Sequence, residues 1–359
     1  MDTEGNRLVW LSSEFICDIC GFAVAVVAGT CDNRRSGKEK KMGERGIGRL
    51  AAVLLILSAC ALGGCGEGTR QAPVAARSFN SKMSFHVWIV REEGGGMEDL
   101  GKTPAEEPIE IPACWAWGVM PKGKADMQAV VQEIAAQNIP GLRIYDAKDD
   151  DLAHLEDLKG LQCLDIHCSF DVSDAGLAHL KELKGLRTLV LYGTKVTDAG
   201  LVHLKALKGL HSLNLAYNKV TDAGLVHLME LQGLRSLVLH GTKVTDSGLE
   251  HLKELKGLHS LNLAYNKVTD AGLVHLKELK GLQTLNLNGT QVTDAGLAQL
   301  KGLKGLQSLN LAWTKVTDAG LVHLKELKGL QRLDLSDTQV TAAGVEEFKR
   351  AMPNVHVEY

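Results

Sequence analysis

Leucines recur along the chain in two different spacings that alternate every 24 residues. In the block 185–208, GLRTLVLYGTKVTDAGLVHLKALK, Leu189 and Leu191 are separated by one residue. A period of two places both side chains on one face of a strand. Leu201 and Leu204 then follow at helical spacing, so that one stripe of a helix faces the same core. Each block therefore predicts one strand followed by one helix.

The residues between the strand and the helix, and those after the helix, are typical of helix ends and of turns. Thr197 is predicted to cap the N-terminus of the helix, and Asp198 favours the positive end of its dipole. Gly209 follows the helix, where a left-handed C-terminal cap is expected. Thr194, or Asn218 in the next block, lies at an inward polar position and is predicted to hold the loop backbone by hydrogen bonds.

Eight such blocks fill residues 160–352, the first (160–184) with 25 residues and the others with 24. The stretch HSLNLAYNKVTDAGLVHL occurs at 211–228 and again at 259–276, which indicates duplication of a two-block unit. No block can bury its leucines alone, so neighbouring blocks must stack. Strands stack at ~4.8 Å whereas packed helices need roughly 8–10 Å, so the stack must curve. We expect an α/β solenoid shaped as an open horseshoe, with parallel strands on the concave face and helices on the convex face.

The repeated VTDAGLxxL pattern identifies residues 160–352 as similar to the short, ribonuclease-inhibitor-like leucine-rich repeats of bacterial proteins. This resemblance implies a leucine-rich repeat solenoid that binds a protein or other ligand on its concave face, without shared chemistry. The pattern also resembles F-box-associated repeats, which implies a cytosolic adaptor as the alternative function. Residues 1–123 show no convincing F-box helices, so we favour a non-enzymatic protein- or peptide-binding module.

Both ends of the solenoid need a cover for their apolar faces. Residues 124–159 are predicted to form the N-terminal cap, with Asp126 at the start of a helix. The apolar face of that helix comprises Met127, Val130, Val131 and Ile134. Residues 353–359 are predicted to add a last edge strand. Residues 66–123 are interpreted as a linker or irregular region with one strand at 84–90.

Residues 42–65, MGERGIGRLAAVLLILSACALGGC, have the layout of a secretory signal, with arginines before an apolar run and small residues before cysteine. The final cysteine, Cys65, resembles the lipidated cysteine of a bacterial lipoprotein, and Cys60 is the alternative. We therefore expect a protein of the cell envelope that is anchored to the membrane through an N-terminal lipid. An uncleaved anchor or an accidental apolar run is the other interpretation.

A signal that begins at Met42 leaves residues 1–41 in front of it. We interpret 1–41 as an over-extended N-terminus, with translation starting at Met42. The run GKEKK at 37–41 is what a purine-rich ribosome-binding site would encode if it were translated.

The concave face is the candidate binding surface, because side chains that point away from the core are free of packing duties. Exposed aromatic side chains among polar neighbours are typical of interface hot spots. The candidate ligand-binding residues are Tyr192, His211, Asn214, Tyr217, His240, His259, Asn262, Tyr265, Asn286, Asn310 and Trp313. The alternative is that these residues are inherited with the repeat and serve no ligand.

Charge and candidate chemistry narrow the function further. The formal net charge of −3 argues against nucleic acid as a partner, because phosphate binding needs a basic surface. Histidine and aspartate columns recur in most blocks, but inheritance and helix starts explain them better than a metal, so we expect no metal and no cofactor. No catalytic motif stands out. An enzyme would need chemistry around Cys114, and a disulfide from Cys114 to Cys163 or Cys168 stays open beside free thiols.

Overall fold

The computed structural model describes residues 75–91, 97–114, 116–123 and 125–359. These residues belong to the second of two structural units, Leu54–Tyr359. The predicted signal at 42–65 and the predicted over-extended segment 1–41 lie outside the described residues. Among the described helices, none is both long and apolar enough to cross a membrane.

Fifteen strands are present in the described part of the chain. They are β1 Arg77–Phe79, β2 Phe85–Val90, β3 Met97–Lys102, β4 Ile109–Ile111, β5 Ala116–Pro121, β6 Gly141–Arg143, β7 Cys163–Asp165, β8 Thr188–Val190, β9 Ser212–Asn214, β10 Ser236–Val238, β11 Ser260–Asn262, β12 Thr284–Asn286, β13 Ser308–Asn310, β14 Arg332–Asp334 and β15 His356–Glu358.

Ten α-helices alternate with the later strands of the described chain. They are α1 Met127–Gln137, α2 Asp149–Ala153, α3 Asp174–Ala178, α4 Asp198–Leu204, α5 Asp222–Leu225, α6 Asp246–Leu252, α7 Asp270–Leu276, α8 Asp294–Leu300, α9 Asp318–Leu324 and α10 Ala342–Ala351. Short 3₁₀ segments extend α3 and α5, at His179–Glu182 and Val226–Glu230.

Thirteen of the strands form one sheet, which runs in the order β15 to β5 and then β2 and β3. From β5 to β15 every neighbouring pair is parallel, and from β6 onward the pairs share one register, so that Leu237 lies beside Leu213 and Leu261. The sheet is open, because β15 and β3 lie at its two edges. This arrangement confirms the predicted α/β solenoid of stacked strand-helix blocks.

The core is a continuous column of leucines. Leu189, Leu191, Leu201 and Leu204 are fully buried, as are their counterparts in the following blocks. Full burial of one such side chain contributes about 1.5–3 kcal/mol. The stack is therefore held together mainly by apolar contact between neighbouring blocks.

The side chain at the inward polar position holds the loop backbone by hydrogen bonds, as predicted. The Asn218 side chain donates to the Leu191 carbonyl at 2.6 Å and accepts from the Thr194 hydroxyl at 2.7 Å and from the Val196 N–H at 3.2 Å. Asn266 repeats this arrangement two blocks later. Buried loop backbone is thus satisfied without water.

Each helix start is tied to the next one by an aspartate. Asp270 accepts from the Thr293 N–H at 2.8 Å and from the Thr293 hydroxyl at 2.6 Å, while Thr293 caps α8. We call this series of pairs the helix-start ladder. Its other members are Asp149–Ser173, Asp174–Thr197, Asp198–Thr221, Asp222–Thr245, Asp246–Thr269, Asp294–Thr317 and Asp318–Thr341.

The glycine of each TDAGL motif belongs to the same ladder. A Cβ atom added at Gly296 would overlap Asp270 Oδ1 and would lie 3.0 Å from Leu273 Cδ1. Glycine is therefore needed because the aspartate of the preceding block approaches so closely. The aspartate column serves helix starts, as expected, but each aspartate lies in the first turn of its own helix and accepts hydrogen bonds from the N-cap of the next one.

The expected left-handed cap at Gly209 is wrong. Helix α4 ends at Leu204, with Lys205 as a right-handed C-cap, and Gly209 does not have a positive φ. A Cβ atom at Gly209 would lie 3.3 Å from the carbonyl oxygen of Lys184. The glycine makes room for the loop of the preceding block instead of reversing the helix.

The strand expected at 84–90 is β2, but the rest of 66–123, which was expected to be a linker, forms further strands in the part that the structure describes. Strands β1 and β4 pair antiparallel as a small separate sheet, and β2, β3 and β5 extend the main sheet beyond β6. This strand module adjoins the predicted cap region 124–159, whose elements are α1, β6 and α2.

Strand β2 explains how this module covers the first block. All six of its residues are buried, since Val87 and Ile89 join the main core whereas Trp88 and Val90 pack with Cys163 in a second apolar cluster. Burial on both faces removes the alternation that normally reveals a strand. Strand β3, MEDLGK, pairs with it but has little apolar pattern of its own.

Helix α1 caps the leucine column on this side. Asp126 accepts from the Gln128 N–H at 3.0 Å, as expected of an N-cap. Three side chains on the predicted apolar face are buried and Val131 is half-buried against the core; the buried ones are Met127, Val130 and Ile134. At the other end, β15 pairs in parallel with β14 and buries Val357.

Candidate functional site

The C-terminal ends of the strands carry the candidate site. The residue that follows the last core leucine of each strand is Tyr192 in one block and His240 two blocks later. The next position holds Tyr217 and Tyr265 in the intervening blocks. Because neighbouring strands are ~4.8 Å apart, the rings at these two positions meet along the edge of the sheet.

Ring contacts join these residues into one column. Tyr192 and Tyr217 pack edge to face with centroids 5.1 Å apart. Tyr217 and His240 are 4.7 Å apart, and His240 and Tyr265 are 5.1 Å apart. Such contacts add about 0.5–1.5 kcal/mol per pair beyond area burial. The four rings therefore support one another and form a rigid surface.

The backbone at the second of these positions is left-handed. Tyr217, Tyr265 and Trp313 have φ values of 55°, 54° and 58°. In the intervening blocks the equivalent residues are Gly193, Gly241 and Gly289, again with positive φ; glycine adopts this conformation without strain. Bulky residues in this region cost on the order of 1–2 kcal/mol.

The glycines leave space for the rings of their neighbours. A Cβ atom at Gly241 would lie 2.9 Å from the Tyr217 ring, and one at Gly289 would lie 2.8 Å from the Tyr265 ring. Each tyrosine therefore lies across the glycine of the following block. At this left-handed position a large ring and a glycine alternate from block to block. The surface therefore repeats every 48 residues, as the duplicated sequence does.

Phe170 extends this series toward the N-terminus. It is the extra residue of the 25-residue block, and its ring lies 3.7 Å from a Cβ atom placed at Gly193. Phe170 was not predicted from the sequence, although the extra residue in an otherwise regular turn marks it. We call Phe170, Tyr217, Tyr265 and Trp313 the aromatic row; exposed fractions are 52% for Phe170, 52% for Tyr265 and 62% for Trp313.

Burial changes the pKa values of three side chains in this column, His240, Tyr217 and Tyr265. His240 is 4% exposed, and burial lowers its pKa to about 4. Its Nε2 lies 2.8 Å from the Tyr217 hydroxyl, so the two side chains share a hydrogen bond. Burial also raises the pKa of Tyr217, and burial followed by the charge of Asp337 raises the pKa of Tyr265. Near neutral pH the column is uncharged.

A row of lysines runs beside the aromatic row, two residues further along each turn. We call these exposed residues the lysine row: Lys219, Lys243, Lys267 and Lys315. None of the four forms an ion pair with a described residue, whereas Lys195, at the same position one block earlier, binds Asp171 at 2.9 Å. The centre of this edge is therefore basic.

The predicted asparagines are engaged within the fold. Asn214, Asn262 and Asn286 are buried, and each Oδ1 accepts from the N–H two residues later at 2.9–3.0 Å. Asn310 does the same at 2.9 Å and also donates to Asp334. The expectation that these residues are free is wrong, because the turns after the strands use their side chains.

A protein-family model matches part of this architecture. The leucine-rich repeat family model matches residues 210–229, 258–277, 282–300, 306–325 and 330–349. The chain has the leucine-rich repeat fold, and these five segments match that family. No curated protein sequence matches it.

Two internalins of Listeria monocytogenes are among the similar solved structures. An internalin (inlF) is 23% identical, with a TM-score of 0.52 over 65% of this chain and 64% of its own. An internalin C2 (inlC2) is 26% identical, with a TM-score of 0.45 over 59% of this chain and 83% of its own. The leucine-rich repeat protein thus spans less than two thirds of the first internalin, and that likeness shows the fold alone.

Two predicted histidines lie away from the aromatic row. His211 and His259 precede strands β9 and β11, at the opposite end of the strands from Tyr217 and Tyr265. Each ring donates from Nδ1 to a carbonyl 2.6 Å away, on Gly209 or Gly257. The structure therefore does not bring these histidines to the same site.

A polar cluster at the first blocks of the leucine-rich repeat protein was also missed. Arg143 donates to Asp165 at 2.8 Å, and His167 Nδ1 lies 2.8 Å from the other carboxylate oxygen. Burial raises the pKa of Asp165, but the charges of Arg143 and His167 outweigh it and hold the pKa well below its usual range. Tyr145 packs edge to face on His167 at 4.4 Å.

The cysteines offer little chemistry. Cys114 and Cys163 are buried free thiols, so the disulfide to Cys114 that the sequence left open is not formed. Burial raises the pKa of Cys163 to about 12, which suppresses its thiolate. Within the described residues, no group of three or more histidine, cysteine, aspartate or glutamate side chains is placed to hold a metal ion.

Proposed function

We propose that this leucine-rich repeat protein is a non-enzymatic module that binds a protein or peptide along the aromatic row and its neighbours Tyr192 and His240. The observation that carries the proposal is the exposure of large rings held in a strained backbone. Trp313 is 62% exposed, although its left-handed φ of 58° would suit glycine better. Strain of this kind is commonly found at functional sites.

The alternation of blocks supports the same function. If the surface served stability alone, glycine at every left-handed position would be the less strained choice, as at Gly193, Gly241 and Gly289. Instead three alternate blocks carry Tyr217, Tyr265 and Trp313 at this position. Exposed aromatic side chains with restricted motion lose little entropy on binding, which suits an interface hot spot.

A peptide-display selection on the full-length chain tests the proposal. Selected peptides are expected to bind the wild type and to lose at least ~10-fold in affinity to a Tyr217→Ala, Tyr265→Ala, Trp313→Ala variant, because hot-spot rings contribute ~1.4 kcal/mol or more. Fluorescence anisotropy measures both affinities. A His211→Ala, His259→Ala variant, changed at the other end of the same strands, is the matched control.

Two outcomes would refute the site. One is that selected peptides bind the triple variant with full affinity, and the other is that they lose affinity only in the histidine control. Failure to select any peptide that binds specifically would count against peptide binding as a whole. Circular dichroism of each variant verifies that the solenoid remains folded.

We further propose that the protein is exported and held at the cell envelope by a lipid on Cys65, or on Cys60. The layout of residues 42–65 supports this location. The intact mass and N-terminal peptide of the protein from its native membrane fraction test it. A diacylated cysteine at the N-terminus is the expected result, whereas an unprocessed soluble chain would favour the cytosolic adaptor.

A further inference from the structure

We propose that the ligand of the aromatic row is an acidic peptide segment in the polyproline II conformation, lying across the strands. This inference rests on the proposed peptide-binding function and specifies its partner. Two independent observations carry it, the spacing of the rings and the charge of the lysine row.

The rings recur at every second strand. Phe170, Tyr217, Tyr265 and Trp313 follow β7, β9, β11 and β13. With strands ~4.8 Å apart, successive rings are ~9.6 Å apart, and the whole row spans ~29 Å. A ligand that contacts all four rings in the same way must repeat itself at this distance.

Polyproline II matches this repeat better than other extended or helical peptides do. It has three residues per turn and ~3.1 Å per residue, so that every third side chain returns to one face after ~9.3 Å. Over three intervals the mismatch is only ~1 Å. An α-helix returns after seven residues at ~10.5 Å and drifts by ~3 Å. A strand returns every ~6.8 Å, out of step with the rings.

The surface chemistry suits the same ligand. Aromatic grooves bind proline-rich segments because the rings pack on the pyrrolidine face of a helix that is already ordered. The alternating glycines at Gly193, Gly241 and Gly289 add no side chain of their own at the left-handed positions between successive residues of the aromatic row.

The positive charge of the lysine row favours a negatively charged ligand. Lys219, Lys243, Lys267 and Lys315 are exposed beside the rings and have no ion-pair partner among the described residues. Exposed aspartates occupy the two ends of the left-handed series, at Asp146 and Asp337. A segment with acidic side chains is therefore attracted to the centre of the edge, although the net charge of the chain is −3.

Binding of synthetic peptides to the full-length chain tests this inference. A labelled peptide of four Pro-Pro-Glu units places proline and glutamate on separate faces of the helix, and anisotropy measures its affinity. We expect it to bind at least ~10-fold more tightly than the matched Pro-Pro-Lys and Pro-Pro-Gln peptides, and the advantage should shrink as salt is added. A peptide of the same composition with all its glutamates at one end should bind more weakly, since it loses the three-residue period.

Charge reversal on the protein provides a second measurement. The variant Lys219→Glu, Lys267→Glu, Lys315→Glu is expected to lose at least ~10-fold in affinity for the acidic peptide. The control variant Lys181→Glu, Lys301→Glu, Lys328→Glu changes three exposed lysines outside the lysine row by the same total charge. Its affinity should change by less than about twofold, because charges further than a Debye length are screened.

The results that overturn this inference differ from those that overturn peptide binding itself. Equal affinity for the acidic, neutral and basic peptides, or equal loss in both lysine variants, would refute it. If display-selected peptides need the aromatic row but are neither acidic nor periodic, this inference fails while the proposed function stands. The acidic polysaccharide polygalacturonate serves as a non-peptide probe. If it binds through the aromatic row and no peptide does, the ligand is a polysaccharide and both proposals fail.

Discussion

The helix-start ladder and the aromatic row are built from the same repeat but follow different periods. The ladder recurs in every block, so that Asp270 and Thr293 have counterparts 24 residues away in both directions. The aromatic row recurs only in every second block, with glycine between its members. A contact between neighbouring blocks must be present in each of them for the stack to hold, whereas a ligand needs only a spacing that matches its own.

The two regions also treat local strain differently. At the ladder, glycine stands wherever a side chain would clash, as Gly296 does against Asp270. At the aromatic row, Tyr265 occupies a left-handed position that glycine fills in the adjacent blocks. This difference teaches that the 24-residue features stabilise the fold and that the 48-residue features carry the function we propose.

Protonation of His240 should have the largest effect on stability. Its pKa in the folded protein is about 4, below the ordinary 6.5, so the unfolded chain binds more protons between these pH values. Stability should therefore fall as the pH drops from 6.5 to 4, with a loss of ~2–3 kcal/mol from this group.

The variant His240→Asn isolates that effect, because Asn288 already occupies the same position in another block. Urea denaturation at pH 7 and pH 4.5 should show a smaller loss of unfolding free energy for His240→Asn than for the wild type. An identical pH dependence in both proteins would contradict the burial of His240 and make it part of the open ligand surface.

A double-mutant cycle at the ladder tests whether it serves packing between blocks. Asp270→Ala should lower the free energy of unfolding by ~2 kcal/mol, because Thr293 loses two hydrogen bonds. Gly296→Ala alone should lower it by ~1–3 kcal/mol through overlap with Asp270.

Combining the two changes should recover most of the second loss, because the added methyl group then has room and alanine favours a helix by ~1 kcal/mol over glycine. Urea denaturation gives all four values. Asp150→Ala, an exposed aspartate in the first turn of α2, is the control and should change stability little. Additive effects of Asp270→Ala and Gly296→Ala would show that the two residues do not share one contact.

The smallest stability effect and the clearest loss of binding are expected for Tyr265→Gly. Glycine relieves the left-handed strain of ~1 kcal/mol but adds freedom to the unfolded chain, so the net change should stay within ~1 kcal/mol. Affinity for display-selected peptides should nevertheless fall at least ~10-fold. Thermal denaturation and anisotropy on the same sample separate the two effects; a large loss of stability with unchanged affinity would assign Tyr265 to the fold.

Much of the fold follows from residues that repeat. Leu189, Leu191 and Leu201 reveal strand and helix by spacing, and Asn218 reveals the loop that it holds. The strand module before the solenoid could not be predicted as well. Strand β2 is buried on both faces and β3 is largely polar, so neither has the alternation of an ordinary strand.

The candidate site was predicted only in part, since sequence spacing does not give side-chain orientation in turns. Tyr217, Tyr265 and Trp313 were predicted as outward positions of the strand face, with Tyr192 and His240 in a neighbouring row, whereas the structure places Tyr217 in the turn after β9. Asn214 occupies an outward strand position, but its side chain accepts from its own turn at 2.9 Å. A hydrogen bond between residues two apart depends on turn geometry, which alternation does not specify.

The sequence by itself determined the repeated unit, the order of strand and helix within it, and the leucines that form the core, because each depends on periods read along one block. Only the tertiary structure decided which aspartate reaches the next helix start, which tyrosine lies over the next glycine, and which lysines remain without an ion pair. Those contacts join residues of different blocks, and the spacing and orientation of stacked blocks exist only once the solenoid has formed.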